Sequence, residues 1–248
     1  MKSHLNLPQM FASLFSTTLN ARERVFPLVL GDSTFTAEGW SDRTNYLGTG
    51  FFIGENGIAL TAAHVMPQIE PDSDKTVFAV VSDNKKFWVR PVVACEKASG
   101  DIDIAAIRVA RMNNPYWKVS VTERHMGENV WAAGIPAEAT DPLDGTIRMF
   151  KGHIMRGGRY YELNFPAVRG MSGSPVGSEL EIIGVISDNH RSEILEDQHS
   201  EEVEVTPGFR RTLEVKTVQV INFGRVEPLY RVGKSGLQAL IDKVTAGS

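Results

Sequence analysis

Apolar residues in the first two dozen positions recur at helical spacing. Leu7, Met10, Phe11, Leu14, Phe15 and Leu19 fall on one face, Asn6 is placed to cap, and Pro8 suits a first helical turn. The spacing predicts an amphipathic extension over residues 1–24 that packs on the body. Gln9, Ser13, Ser16 and Thr17 interrupt the apolar run an export signal requires, and residues 8–20 carry no Lys or Arg to favour a lipid surface. From residue 25 the pattern changes to short apolar or alternating runs separated by Gly, Asn, Asp and Pro. Residues 25–30, 49–54, 58–65, 77–82, 87–95 and 104–110 read as strands, followed by a second set at 129–135, 146–155, 159–165, 181–187 and 212–223. Asn56-Gly57 supplies the positive φ of a tight hairpin. Strands at this rhythm without intervening helices predict antiparallel barrels or a sandwich and argue against a βαβ sheet. Residues 111–118, around Asn113-Asn114-Pro115, read as a crossover between the two sets. Near the end, Leu237, Leu240, Ile241 and Val244 share a helical face, with Ser235 and Gln238 at capping-box spacing. The acidic stretch 191–205 (Glu193, Glu196, Asp197, Glu201, Glu202, Glu204) reads as a solvated loop, and Cys95, within an apolar strand, as a small buried hydrophobe.

Composition narrows the function classes. The 248 residues carry 26 basic and 30 acidic side chains, a formal charge of −4, with no basic stripe. Neutralising a phosphate backbone takes a basic surplus, so nucleic acid is not expected as a partner. A single cysteine makes no internal disulfide and excludes multi-cysteine zinc sites; it favours a reducing compartment, hence a cytoplasmic location. No run approaches the roughly 20 apolar residues of a membrane helix, so no membrane span is expected. Gly48, Gly50 and Gly54 lead into another strand and do not make a dinucleotide fingerprint. His4, His125, His153, His190 and His199 lack ligand spacing, so neither a cofactor nor a metal is expected.

Three positions carry chemistry. His64 ends the run Leu60-Thr61-Ala62-Ala63-His64, Asp103 opens Asp103-Ile104-Ala105-Ala106-Ile107-Arg108, and Ser172 lies in Gly170-Met171-Ser172-Gly173-Ser174-Pro175, whose glycines permit a tight bend with converging N–H groups. A serine hydroxyl becomes a nucleophile when an imidazole takes its proton, and a carboxylate fixes the imidazole's tautomer. Taken singly, such a histidine is most simply packed and such an aspartate a turn former. The order His, Asp, Ser is the reverse of that in α/β-hydrolases.

On these residues the sequence resembles trypsin-like serine peptidases of the chymotrypsin fold, in particular the cysteine-poor bacterial branch that includes the high-temperature-requirement family. The matching pieces are GTGFFIGENGIALTAAHV (48–65), DIAAIRV (103–109), VWAAGIP (130–136), GMSGSP (170–175) and IIGVIS (182–187). The resemblance implies an all-β protein of two antiparallel six-stranded barrels. The first, at 25–115, would bear His64 and Asp103; the second, at 116–232, would bear Ser172; a helix would follow at 233–248. It implies a serine endopeptidase acting on protein or peptide substrates through an acyl-enzyme, with the backbone N–H groups of Gly170 and Ser172 as oxyanion hole. Met171 stands where relatives commonly have Asp or Asn. Asp101 is a rival for the orienting role; the residues after Asp103 fit the family pattern better. Pro166, Ile186, Ser187, Asp188 and Asn189 occupy the positions that shape the primary pocket in relatives. Pro166 supplies no charge for Lys or Arg, and Ile186 stands where glutamate-specific relatives place a histidine, which leaves a small or medium apolar preference. No IVGG-like segment lies near residues 25–31, so control by loop ordering or by a regulatory partner is expected. The competing readings are a catalytically silent protease-fold module that binds peptide, and a structural partner in a larger complex.

Overall fold

The computed structural model describes residues 21–32, 34–36, 45–70, 72–83, 86–110, 113–137, 147–206 and 209–246, with backbone alone for 189–206 and 209–222. The helical extension expected over residues 1–24 lies outside the described residues as far as residue 20. Six strands follow: β1 (Val25–Gly31), β2 (Tyr46–Phe52), β3 (Ile58–Thr61), β4 (Thr76–Asp83), β5 (Lys86–Lys97) and β6 (Ala105–Val109). They close an antiparallel barrel in the order β1-β2-β3-β6-β5-β4. Asn56 and Gly57, with φ of 58° and 80°, turn β2 into β3. The second set comprises β7 (Lys118–Val119), β8 (Asn129–Gly134), β9 (Arg148–Arg156), β10 (Tyr161–Leu163), β11 (Pro175–Ser178), β12 (Glu181–Thr206) and β13 (Phe209–Pro228). The order β11-β8-β9-β10-β13-β12 closes on itself through β11–β12, making a second six-stranded barrel, with β7 parallel to the start of β12. The fold is therefore chymotrypsin-like: two antiparallel barrels and a terminal helix α1 (Gly233–Ala246).

Each barrel is filled by its inward residues. Phe26, Leu28, Phe51, Phe52, Leu60, Ile104 and Ile107 are buried in the first, and Ile154, Tyr161, Leu163, Val176, Ile186 and Val226 in the second. Crossover residue Trp117 bridges the two, packing on Phe51 and Trp131, and Asn114 accepts from Gly57 N–H while donating to the Gly54 carbonyl. Helix α1 buries Leu237, Leu240 and Val244 on the first barrel, as its period predicts.

Four local expectations are corrected. The run 58–65 is not one strand: β3 stops at Thr61 and Ala63–Val65 forms a 3-10 turn, so His64 sits on a turn. The acidic stretch 191–205 is not a loop. Its backbone pairs with β13 in register from Ile194↔Val220 to Glu204↔Arg210, because the Val- and Thr-rich β13 offers it a ladder. Cys95 is exposed. A register shift between Val92 and Ala94 reverses the in–out alternation of β5, turning odd positions outward. Finally, α1 begins at Gly233, which leaves Ser235 inside the helix; Gln238 Nε2 donates to Asp242 and makes no capping box.

Candidate active site

The 3-10 turn after β3 holds His64 half exposed at the edge of the first barrel. The loop between β5 and β6 brings up Asp103, whose two oxygens receive two bonds from one residue. Oδ1 accepts from the His64 backbone N–H at 2.9 Å, and Oδ2 lies 2.7 Å from His64 Nδ1. The carboxylate is thereby held against His64 through both of its oxygens. From the second barrel, Ser187 Oγ donates to the same Oδ2 at 2.5 Å. The Ser187 carbonyl in turn accepts from Ser172 Oγ at 3.1 Å. Ser187 thus ties together His64, Asp103 and Ser172, which lie far apart in sequence. No hydrogen bond joins Ser172 Oγ to His64 here; the hydroxyl is parked on Ser187.

The charges follow this geometry. The hydrogen bond to Asp103 raises the His64 pKa above its ordinary value; burial pulls the other way, and the negative charges of Asp103 and Asp188 reinforce the rise. Burial alone would raise the Asp103 pKa, but bonds from His64 and Ser187 outweigh it and hold the carboxyl below its usual range. Asp101 faces elsewhere: its Oδ1 lies 2.8 Å from Arg231 Nη2, and Arg159 pairs with its other oxygen. Arg231 also pairs with the fully buried Glu227, at 2.6 Å.

Ser172 sits in a loop bent by Gly170 (φ 93°) and Gly173 (φ 88°), both in the region that favours glycine. A Cβ on Gly173 would lie 2.0 Å from the Thr49 carbonyl oxygen, so this position takes glycine on steric grounds as well. The loop's bonds run outward. Arg169 C=O accepts from Ala137 N–H at 2.8 Å, Met171 N–H donates to Val168 C=O at 3.0 Å, and Gly173 N–H to Ile186 C=O at 2.7 Å. In a trans peptide N–H and C=O oppose each other, so an Arg169 carbonyl bound to Ala137 directs the Gly170 N–H the other way. Among the described residues neither Gly170 N–H nor Ser172 N–H has a backbone acceptor. Met171 is fully buried in the second-barrel cluster, which anchors the loop by packing.

The expected pocket residues have mixed fates. Pro166 and Asp188 are exposed, Ile186 is fully buried within the second-barrel cluster, and Ser187 turns its hydroxyl to Asp103; the Asn189 side chain lies outside the described residues. Sequence reasoning assigned Ser187 to the pocket and missed its bond to Asp103. The available signal was a hydroxyl at the end of the buried run Ile182-Ile183-Gly184-Val185-Ile186. Among the described residues no cluster of three or more His, Cys, Asp or Glu is placed to hold a metal, and no helix is long and apolar enough to cross a membrane.

Comparison with known proteins bears on the family and the fold. The family model for a trypsin-like peptidase domain matches residues 48–185. No curated protein matches significantly in sequence. Among solved structures, the serine endoprotease from Yersinia pestis superposes with a TM-score of 0.55 at 17% identity, over 91% of this chain and 66% of that one. The HtrA-type protease AlgW, solved with a decapeptide, gives 0.57 at 14% identity, over 96% of this chain and 68% of that one. Deg5 gives 0.53 at 14%, over 72% and 86%. At these identities the likeness is one of fold.

Proposed function

The chain belongs to the trypsin-like peptidase domain family, and we propose that it is a serine endopeptidase whose triad is His64, Asp103 and Ser172. The observation that carries this reading is the hydrogen-bonded chain from Ser172 through Ser187 to Asp103 and His64, built from both barrels. In the reaction the Ser172 hydroxyl leaves the Ser187 carbonyl and gives its proton to His64 Nε2 as Oγ attacks the substrate carbonyl carbon. The oxyanion that forms accepts from Gly170 N–H and Ser172 N–H. Asp103 holds the Nδ1 proton and stabilises the imidazolium. His64 then passes its proton to the leaving amine as the peptide bond breaks, and water repeats the sequence on the acyl-enzyme.

Protein or peptide is the substrate class, with a small or medium apolar residue before the cut because neither Pro166 nor Ile186 supplies charge. Control falls to loop ordering or to a regulatory partner, and a lone cysteine suits a reducing, cytoplasmic setting. Comparing proteolysis with and without residues 1–24 tests a role for that segment; equal rates would remove it. A second reading, a silent peptide-binding module, draws on one observation: Ser172 Oγ is bonded to Ser187 and not to His64. Fluorophosphonate labelling decides between them. Label on the wild type that disappears in Ser172→Ala supports the peptidase; a folded wild type that takes no label, alone or with peptide present, supports the module.

A further inference from the structure

A peptide unit next to a glycine at positive φ is easily rotated, and the Gly170 donor belongs to such a unit. The Arg169 side of that residue is fixed by Ala137. Its other side is gripped from the opposite barrel. Tyr46 Oη, on β2, lies 2.8 Å from the Gly170 carbonyl oxygen and 2.7 Å from that of Ile135. Thr49 Oγ1 donates to the same Gly170 carbonyl at 3.0 Å, and Thr49 N–H donates to the Ser172 carbonyl at 2.8 Å. The Tyr46 ring abuts Gly170 so closely that an added Cβ there would lie 2.7 Å from Cε1.

We propose that Tyr46 is a positioning residue for the oxyanion donors, clasping the nucleophile loop from the first barrel. The inference rests on the peptidase reading above and adds to it a residue that no motif of the sequence marked. A phenol has one proton, and here it is shared between two carbonyl oxygens on facing segments, Ile135–Ala137 and Arg169–Gly170, which the Ala137–Arg169 bond joins. Burial pushes the Tyr46 pKa far above its ordinary value, so the hydroxyl stays protonated across the working range. Without that proton the two carbonyl dipoles face each other with Thr49 as the remaining side-chain donor. They move apart and strain the Ala137–Arg169 bond that joins the two segments, so the Arg169–Gly170 plane gains freedom to turn and Gly170 N–H leaves the hole.

Tyr46→Phe removes the proton and keeps the ring. Loss of a whole oxyanion donor costs about 10²–10³ in kcat; loosening one predicts a fall of about 10–100-fold, with KM within about twofold. Binding of a peptide boronate, whose tetrahedral oxygen fills the hole, should weaken by a similar factor. The pH midpoint of activity should not move, because His64 and Asp103 are untouched. Amide exchange measured by mass spectrometry over residues 165–176 should quicken in the variant. Thr49→Val, which removes the second side-chain donor, should act in the same direction with smaller size, and stands in if Tyr46→Phe fails to fold. Wild-type kcat in the variant, a loss residing in KM, or a shifted pH midpoint would overturn the proposal. If the wild type neither labels nor cleaves, the peptidase reading fails alone, and exchange decides the clasp: faster exchange in Tyr46→Phe sustains it, unchanged exchange ends it.

Discussion

Replacing Asp103 by asparagine offers the sharpest test, because the geometry dictates how the amide must sit. The His64 backbone N–H, 2.9 Å from Oδ1, requires an acceptor, so the amide oxygen takes that position. The NH2 group then occupies the Oδ2 site, 2.7 Å from His64 Nδ1 and 2.5 Å from Ser187 Oγ. Ser187 can rotate its proton away and accept. His64 can accept only with Nδ1 unprotonated, which moves the ring proton to Nε2 and leaves the serine without a base. Loss of the correct tautomer in a serine triad lowers kcat by about 10⁴, equivalent to about 5.4 kcal/mol of transition-state stabilisation. The assay is the second-order rate of fluorophosphonate labelling, together with turnover of a fluorogenic protein substrate near pH 7.5 and a melting curve to establish folding. Asp101→Asn serves as the control, since Asp101 is engaged by Arg231 and Arg159, and should stay within about threefold of wild type on this reasoning. A folded Asp103→Asn protein within tenfold of wild type, or a greater loss in Asp101→Asn, would refute the assignment.

The remaining predictions use the same contacts. Because bonding to Asp103 raises the His64 pKa, the acid limb of kcat/KM should have its midpoint above the ordinary histidine value of about 6.5. The same shifts set stability: His64's part is present below about 6.5 and lost as pH rises through its raised folded pKa, whereas Asp103's is present above about 3.9 and lost as pH falls through its lowered one. The stability gap between wild type and His64→Gln, from urea unfolding, should therefore be largest between those values. Met171→Ala empties a fully buried site and should cost about 2–5 kcal/mol by the same urea titration, with a matching fall in labelling. Gly134→Ala would place a Cβ 2.1 Å from Ser174 Oγ; it should lower the melting temperature, and Ser174→Ala, which deletes a buried hydroxyl with no hydrogen-bond partner among the described residues, should recover much of the loss.

Legibility in the sequence followed the reach of each interaction. Strand positions were readable because alternation and the Asn56-Gly57 turn are local. Helix α1 was readable from the period of Leu237, Leu240 and Val244. The proposed triad residues His64, Asp103 and Ser172 were marked by short motifs, each of which folds locally into its turn. Long-range bonds left no such mark. Ser187 to Asp103 spans 84 positions and Tyr46 to Gly170 spans 124; the hydroxyl ending the buried run marks Ser187 itself, but neither residue's neighbourhood identifies its partner. Cys95 was misread for a related reason, since one register shift in β5 reverses the burial of every position after it, and that shift depends on pairing with β6. The β12 arm was misread from its charges, which describe solubility; its backbone partner lies 16 or more residues along the chain for most of its length.

The way the nucleophile loop is held bears on how such an enzyme would be controlled. In this chain the loop is secured by the burial of Met171, by Ala137 on Arg169, and by Tyr46 and Thr49 on Gly170, all within the two barrels. None of these contacts needs a newly freed terminus or an ion pair formed on activation. A switch acting through loop disorder would have to break several buried hydrogen bonds at once, each worth about 0.5–1.5 kcal/mol net and more if its partners stay buried and unpaired. The Ser172–Ser187 bond is a far cheaper point of control, being a single neutral contact at 3.1 Å on a half-buried hydroxyl. On the peptidase reading, we infer that control is exerted more readily by a partner or substrate acting at the cleft, releasing Ser172 towards His64, than by ordering of the loop behind it.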